Sequence, residues 1–338
     1  MTARDTARED FVRGAGWAGT ERTPVAGDAS FRHYTRLRKS DATAILMDAP
    51  PENEDTGPFL TIAAWLAKAG YGAPRVLAAD GRAGFVLLED LGEDSFTAVL
   101  TAGADASELY GAAVDVLADL QSRPAPGFLP AFDETRILSE VSLFLDWYAA
   151  AALGHEVSAS AREDFLALWR AAITVLRGAG ECVALFDYHA DNLHWLPDRQ
   201  GNARVGLLDF QDAVQGPRPL DLVSLLEDAR RDVDPDLAAA MIERYFAAAG
   251  VKDATGFRAA YAAIGAQRNT RIVGVFARLW LRDRKPGYLR MLPRVWGHLE
   301  RDLAHPALAD LRLWFEEAIP ASLRRSVPAA ETFGRPLA

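Results

Sequence analysis

The stretch Leu185-Phe186-Asp187-Tyr188-His189-Ala190-Asp191-Asn192-Leu193, followed by Gly206-Leu207-Leu208-Asp209-Phe210-Gln211-Asp212, decides the fold of this chain. An apolar run, Val183–Phe186, leads straight into Asp187; Asn192 follows five residues on; and a second apolar run, Val205–Leu208, ends in Asp209. Phosphoryl transfer calls for such a set. One carboxylate orients and deprotonates the attacking hydroxyl, while an amide oxygen and a second carboxylate hold Mg2+ against nucleotide phosphates. An Asp closing a short buried strand, an Asn just beyond it and an Asp closing the next strand can converge on one cleft. Use of Asp187 and Asp209 as solvated turn or cap residues is the alternative reading.

Upstream, the first ninety residues read as mostly strand with one helix. Phe31, His33, Thr35 and Leu37 alternate with Arg32, Tyr34, Arg36 and Arg38, the period-two pattern of a half-exposed strand. Residues 39–42 read as a turn, Thr43–Asp48 as a second strand stopped by Pro50-Pro51, and 58–69 as a helix with Phe59, Ile62, Ala63 and Leu66 on one face. Val76–Ala78 and Phe85–Leu88 form a further strand pair around an Asp80-Gly81 turn. After Asp90-Leu91-Gly92 the period lengthens, and helices are expected near 105–122, 133–153, 161–178, 220–231, 236–249, 254–281 and 288–303.

The bulk numbers narrow the class. A chain of 338 residues is long for one compact core, so two lobes are expected. A net charge of −10 argues against nucleic acid and anionic membrane surfaces as partners. The single cysteine, Cys182, precludes an internal disulfide and a Cys-rich zinc site, and its apolar setting suits a buried, inert thiol. No apolar stretch has the length of a membrane span, and the charged start lacks the apolar core of a signal peptide, so a cytoplasmic location is expected.

The Asp187–Asp212 region resembles the catalytic loop and metal-binding Asp of the aminoglycoside-phosphotransferase-like kinases, relatives of the protein kinases. The resemblance implies an α+β, two-lobed protein-kinase-like fold with a small β-rich N-lobe over 1–90 and a larger helical C-lobe over 91–325; Pro328, Gly334 and Pro336 mark 326–338 as an expected flexible tail. It implies Asp187 as catalytic base, Asn192 and Asp209 as ligands of Mg2+, and ATP as phosphoryl donor. His189 matches a His common in the family's loop. Gly27-Asp28-Ala29-Ser30-Phe31-Arg32 resembles the phosphate-cradling turn, where Ser30, Phe31 and Arg32 would meet nucleotide. Leu87-Leu88-Glu89-Asp90-Leu91-Gly92 resembles the hinge, where the backbone of Glu89 and Leu91 would bind adenine. Locally, a Gly-Asp turn before a strand and a strand ending at a Gly turn serve equally well.

More narrowly, Asp28-Ala29-Ser30-Phe31-Arg32, Met47-Asp48-Ala49-Pro50-Pro51, Leu208–Ala213, Asp221–Leu226, Gln267-Arg268 and Gly274–Leu279 resemble the anomeric kinases of N-acetylmuramate and N-acetylglucosamine in bacterial cell-wall recycling. The implied partner is a small amino sugar. A same-family kinase for another hydroxylated substrate, such as an amino alcohol or aminoglycoside, and a nucleotide-binding pseudokinase are the alternatives.

Two positions depart from the kinase pattern. Leu185 stands where a loop-bracing His is usual. Met47 stands where the third strand usually carries a phosphate-binding Lys, and none of Lys39, Lys68, Lys252 and Lys285 replaces it. Arg32 is the best substitute by position, its planar fork of donors being suited to phosphate; a solvated place on the alternating strand is its other use. The helix over 58–69 offers no Glu to pair with a Lys, so both members of the usual pair are missing there. For the acceptor, His189, Asp212, Glu140, Arg268 and Arg271 are candidates, with Trp147, Tyr148 and Asn269 nearby in sequence. Aromatic faces beside polar groups suit sugars, although Trp147 and Tyr148 equally suit a core.

Overall fold

The computed structural model describes residues 2–25, 31–330 and 333–334. The chain divides into two compact units. One takes residues up to Val116 together with Ala190–Ala213; the other takes Leu117–His189 together with the residues from Val214 onward. Neither is a continuous piece of sequence.

The first unit opens with helix α1 (Ala3–Gly14), then strands β1 (Glu21–Val25), β2 (His33–Lys39) and β3 (Ala42–Asp48), helix α2 (Gly57–Lys68), strands β4 (Val76–Asp80) and β5 (Phe85–Glu89), and helix α3 (Phe96–Thr101). Helix α4 (Ala106–Ser122) carries the chain into the second unit. The strands form one antiparallel sheet in the order β1-β2-β3-β5-β4. The alternation over 31–38 and the apolar runs that predict β2, β3 and β5 are thus realised. So is α2, which buries Phe59, Ile62, Ala63 and Leu66.

One correction concerns α1, which gives the sheet unit a helix the sequence reading omits. Only Phe11 and Val12 supply its apolar contacts, so its periodicity is thin. Its signal is the start: the Thr2 side chain accepts from the Asp5 N–H while Asp5 accepts from the Thr2 N–H. Arg4 and Arg8 then bind Asp48 at the end of β3.

The second unit continues with α5 (Glu134–Leu143), a π-turn over Phe144–Ala149, α6 (Ala150–Leu153), α7 (Ala159–Ala172) and β6 (Glu181–Ala184). The chain then returns to the first unit for a small hairpin, β7 (Leu193–Trp195) and β8 (Val205–Leu207). Gly72 abuts this hairpin: a Cβ there would lie 2.3 Å from the Val205 carbonyl oxygen. Back in the second unit follow β9 (Val214–Pro217), paired with β6, then α8 (Pro219–Leu226), α9 (Pro235–Ala249), α10 (Ala254–Leu281), α11 (Leu292–Leu303), α12 (Ala309–Ala318) and α13 (Ala321–Arg325). Helix α8 ends short of the expected 231 because Glu227 leaves the helical conformation. Its carboxylate accepts from Asn269 of α10. No helix among the described residues is long and apolar enough to cross a membrane.

The core of the second unit is aromatic. Phe144 meets Tyr148, Phe165, Trp296 and Phe315 within ring distances of 5.3–6.0 Å. Helix α10 runs through it and is buried along most of its length. It approaches α5 most closely at Gly274, where a Cβ would fall 2.4 Å from the backbone carbon of Leu143. Gly274→Ala should therefore destabilise the protein by about 1–3 kcal/mol despite alanine's better helix propensity. Urea unfolding checks this, and an unchanged midpoint would show that the helices part without cost.

Candidate active site

Asp187 owes its position to Asp221. Strand β6 ends at Ala184, and the next two N–H groups, of Leu185 and Phe186, donate to the Asp221 carboxylate at 2.6 and 2.9 Å. Phe186 then adopts a left-handed φ of 77°, which turns the chain sharply before Asp187. Asp221 lies in the first turn of α8 and is fully buried. Burial pushes its pKa up to about 7, against the two N–H donors and Arg268, which favour the anion.

Around Asp187 stand groups of α5, α8 and α10. Arg268 Nη2 lies 3.9 Å from Asp187 Oδ1 and donates to Ser224 Oγ at 2.8 Å. Burial lowers the Arg268 pKa and Asp187 opposes that effect. Arg268 is thus held inside the unit, next to the candidate base. Glu140 accepts from Arg136 at 3.0 Å and from Gln267 at 2.9 Å, with Arg271 at 3.7 Å. Arg136 and Arg271 lie 4.6 and 4.9 Å from the Phe186 ring centroid. His189 is buried, with Arg230 3.3 Å from its Nε2.

Other sugar candidates go elsewhere. Tyr148 is a core residue whose hydroxyl donates to the Leu323 carbonyl, and Trp147 packs against the same core. Asn269 is fully buried and donates to Glu227 and Asp302. Cys182 is buried as expected, with its thiol pKa pushed up by burial.

The sheet unit carries Asn192 and Asp209. Asn192 closes a short turn, Ala190–Asn192, and its carbonyl accepts from the Leu208 N–H at 2.9 Å, which ties the start of β7 to the end of β8. Asp209 follows β8 with φ 55°, again left-handed. Phe210 is fully buried and stacks on Phe59 of α2 at 5.0 Å. Gln211 donates to both Asp209 and Asp212. Among the described residues no three His, Cys, Asp or Glu side chains gather into a metal cluster. An amide oxygen and a half-exposed carboxylate nonetheless suit Mg2+, a hard cation that takes few protein ligands and completes its shell with phosphates and water.

Of the nucleotide candidates, Ser30 lies outside the described residues, as does most of its turn. Phe31 is exposed and its N–H donates to Glu54 Oε1. Arg32 Nη2 donates to Glu54 Oε2 at 3.0 Å and Nη1 lies 3.9 Å from Asp209 Oδ1. Burial works against the Arg32 charge, yet Tyr34 and Glu54 more than offset it, and its pKa is raised. The Tyr34 pKa is also raised, chiefly by burial. In the segment expected to bind adenine, the Glu89 carboxylate is held by Arg75 and Arg199, and the Asp90 carboxylate by Arg36. Leu91 makes a backbone hydrogen bond with His194, whose pKa burial lowers. Glu54 is the residue that sequence reasoning missed. It sits in the turn after Pro50-Pro51, where no periodicity marks it.

The profile of the phosphotransferase enzyme family matches residues 21–263. The chain belongs to that family. It is a phosphotransferase of the protein-kinase-like fold. It is 38% identical, over 95% of its length and 98% of the relative's, to a protein of Caulobacter vibrioides named N-acetylmuramate/N-acetylglucosamine kinase. A Pseudomonas aeruginosa protein of the same name is 37% identical over 91% of this chain and 92% of its own. Among solved structures, choline kinase LicA from Streptococcus pneumoniae superposes with a TM-score of 0.62 at 12% identity, covering 91% of this chain and 100% of that one. The ADP-bound aminoglycoside phosphotransferase APH(2'')-Ib gives 0.60 at 13% identity over 92% and 99%. These two share the fold.

Asp221→Ala leaves two buried N–H groups without an acceptor beside Asp187 and should cost roughly 2–5 kcal/mol in urea unfolding. The pH dependence has a definite sign. The folded-state pKa of about 7 exceeds the ordinary carboxyl value near 3.8, so the folded chain binds the extra proton. The contribution is complete below the lower value and fades as pH rises through the upper one. The stability advantage of wild type over Asp221→Asn should therefore shrink between those limits; growth instead would mean that Asp221 is buried as the anion.

Proposed function

We propose that this chain transfers the γ-phosphoryl group of ATP to the anomeric hydroxyl of N-acetylmuramate and N-acetylglucosamine, as in the recycling of cell-wall amino sugars. The observation that carries this reading is the full-length similarity to relatives of that name, taken with an Asp187 held by Asp221 at a strand end.

In this mechanism Asp187 accepts a hydrogen bond from the acceptor hydroxyl, orients it, and takes its proton as the bond to phosphorus forms. Arg268, 3.9 Å away, helps direct the carboxylate; Ser224 keeps Arg268 in place. Arg271, sharing Glu140 with Arg136, offers a cationic, hydrogen-bonding group suited to the lactyl carboxylate of muramate. His189 is a further acceptor contact, and Asp212 stands beside Asp209 through Gln211. Asn192 and Asp209 would hold Mg2+, which neutralises charge on the nucleotide phosphates. Phe31 and Arg32 serve those phosphates, with Ser30 in the same turn, and the backbone of Glu89 and Leu91 serves adenine. Retention of Asp187, Asn192 and Asp209 together weighs against a pseudokinase.

Asp187→Asn should lower kcat at least about a hundredfold while ATP binding stays near wild type. A variant keeping a tenth of wild-type turnover would remove Asp187 as the base. With wild type, both sugars should give a 1-phosphate whose phosphorus couples to the anomeric proton in NMR. The 1-O-methyl glycosides should fail as acceptors. A 6-phosphate product, or phosphorylation of a methyl glycoside, overturns the anomeric assignment.

A further inference from the structure

Met47, in the position where kinases extend a phosphate-binding Lys, is fully buried on β3. Its neighbours Ala44 and Leu46 pack with Val12, Leu37 and Leu87, but strand alternation turns Met47 to the other face. Antiparallel register sets Tyr34 of β2 directly opposite Met47, so the two share that face. Arg32 lies two residues before Tyr34, and the two side chains are hydrogen-bonded. A cation therefore reaches this face of the sheet from the neighbouring strand instead of from β3. Its acidic partner also has a new origin, because Glu54 comes from the turn before α2 and not from the helix.

The surroundings set this pair apart from an ordinary surface ion pair. The side chains of Arg32 and Glu54 are only 9% and 15% exposed, a desolvation that exposed pairs do not bear. Glu54 also holds the backbone at Phe31, whose N–H donates to its other carboxylate oxygen. The guanidinium is directed at Asp209, the carboxylate that stands at the metal position of the family. A purely structural pair would need none of these three relations.

We propose that Arg32 and Glu54 replace the strand Lys–helix Glu pair of kinases: Arg32 binds the nucleotide β- and γ-phosphates, and Glu54 is the positioning residue that sets its plane. The proposal rests on the kinase reading above, and Tyr34 supports the guanidinium from the side of Met47. Arg is suited to the task because its fork of donors meets two phosphate oxygens at once.

The test compares wild type, Arg32→Ala, Glu54→Gln and the double variant by calorimetric titration with ADP and with adenosine, and by the KM for ATP. Arg32→Ala should weaken ADP binding and raise the KM for ATP by about tenfold or more, while adenosine binds as before. Glu54→Gln should shift the same two quantities in the same direction by a smaller factor. The double variant should be no worse than Arg32→Ala alone, because Glu54 acts through Arg32. An unchanged ADP affinity in Glu54→Gln, equal losses for ADP and adenosine, or multiplied losses in the double variant each overturns the proposal. Thermal melts check folding. Should Arg32→Ala not fold, Arg32→Lys is judged by the same criteria, its point charge lacking the fork. A wild type that binds ADP in this way but makes no sugar phosphate would sink the acceptor assignment and leave this pair standing.

Discussion

The acceptance of two consecutive backbone N–H groups by the buried Asp221 carboxyl is the constraint on which the loop carrying Asp187 depends. After β6 ends, Leu185 and Phe186 have no ladder partner, and a buried N–H without an acceptor is costly. Asp221 supplies the acceptor from the first turn of α8, a helix buried along its whole length, so the loop inherits the rigidity of the core. The left-handed turn at Phe186 persists because the bonds before it over-determine the path of the chain and offset its cost. Arg268 closes the arrangement by linking Ser224 of α8 to the neighbourhood of Asp187.

Much of this was legible in the sequence because the chemistry is local. Asp187 and Asp209 stand at the ends of apolar runs, with Asn192 five residues past the first, and both runs and spacing can be read directly. The strands β2, β3 and β5 and the long helices announce themselves by periodicity. Glu54 could not be found this way. Its meaning lies in meeting Arg32 across the turn from β3, a relation between two irregular segments that no period records. Helix α2 carries no Glu, and the carboxylate that meets Arg32 comes from the turn before it. Helix α1 escaped notice because its apolar stripe is two residues wide and its surface charges hide a capping box.

The centre of the helical unit shows a second limit of sequence reading. Asn269, Glu227 and Asp302 look like ordinary surface residues, yet all three are buried and joined through the Asn269 amide. Burial drives both carboxyl pKa values up. A Cβ on Gly265 would collide with the Asp302 carboxyl oxygens at 2.5 Å, so the glycine makes room for that buried side chain. Polar groups at such depth cannot be satisfied by sliding one helix along another, and they pin the register of α10 against α8 and α11.

The return of Ala190–Ala213 to the sheet unit bears on how the chain is made. A nascent polypeptide emerges in order, and its first unit cannot be completed when Val116 leaves the ribosome. The hairpin of β7 and β8, against which Gly72 closes, arrives only after some seventy further residues that belong to the other unit. The first unit therefore stays open until Ala213 has been synthesised, and by then Leu117–His189 of the second unit has already emerged. Completion of the first unit is thus delayed until synthesis of the second is well under way.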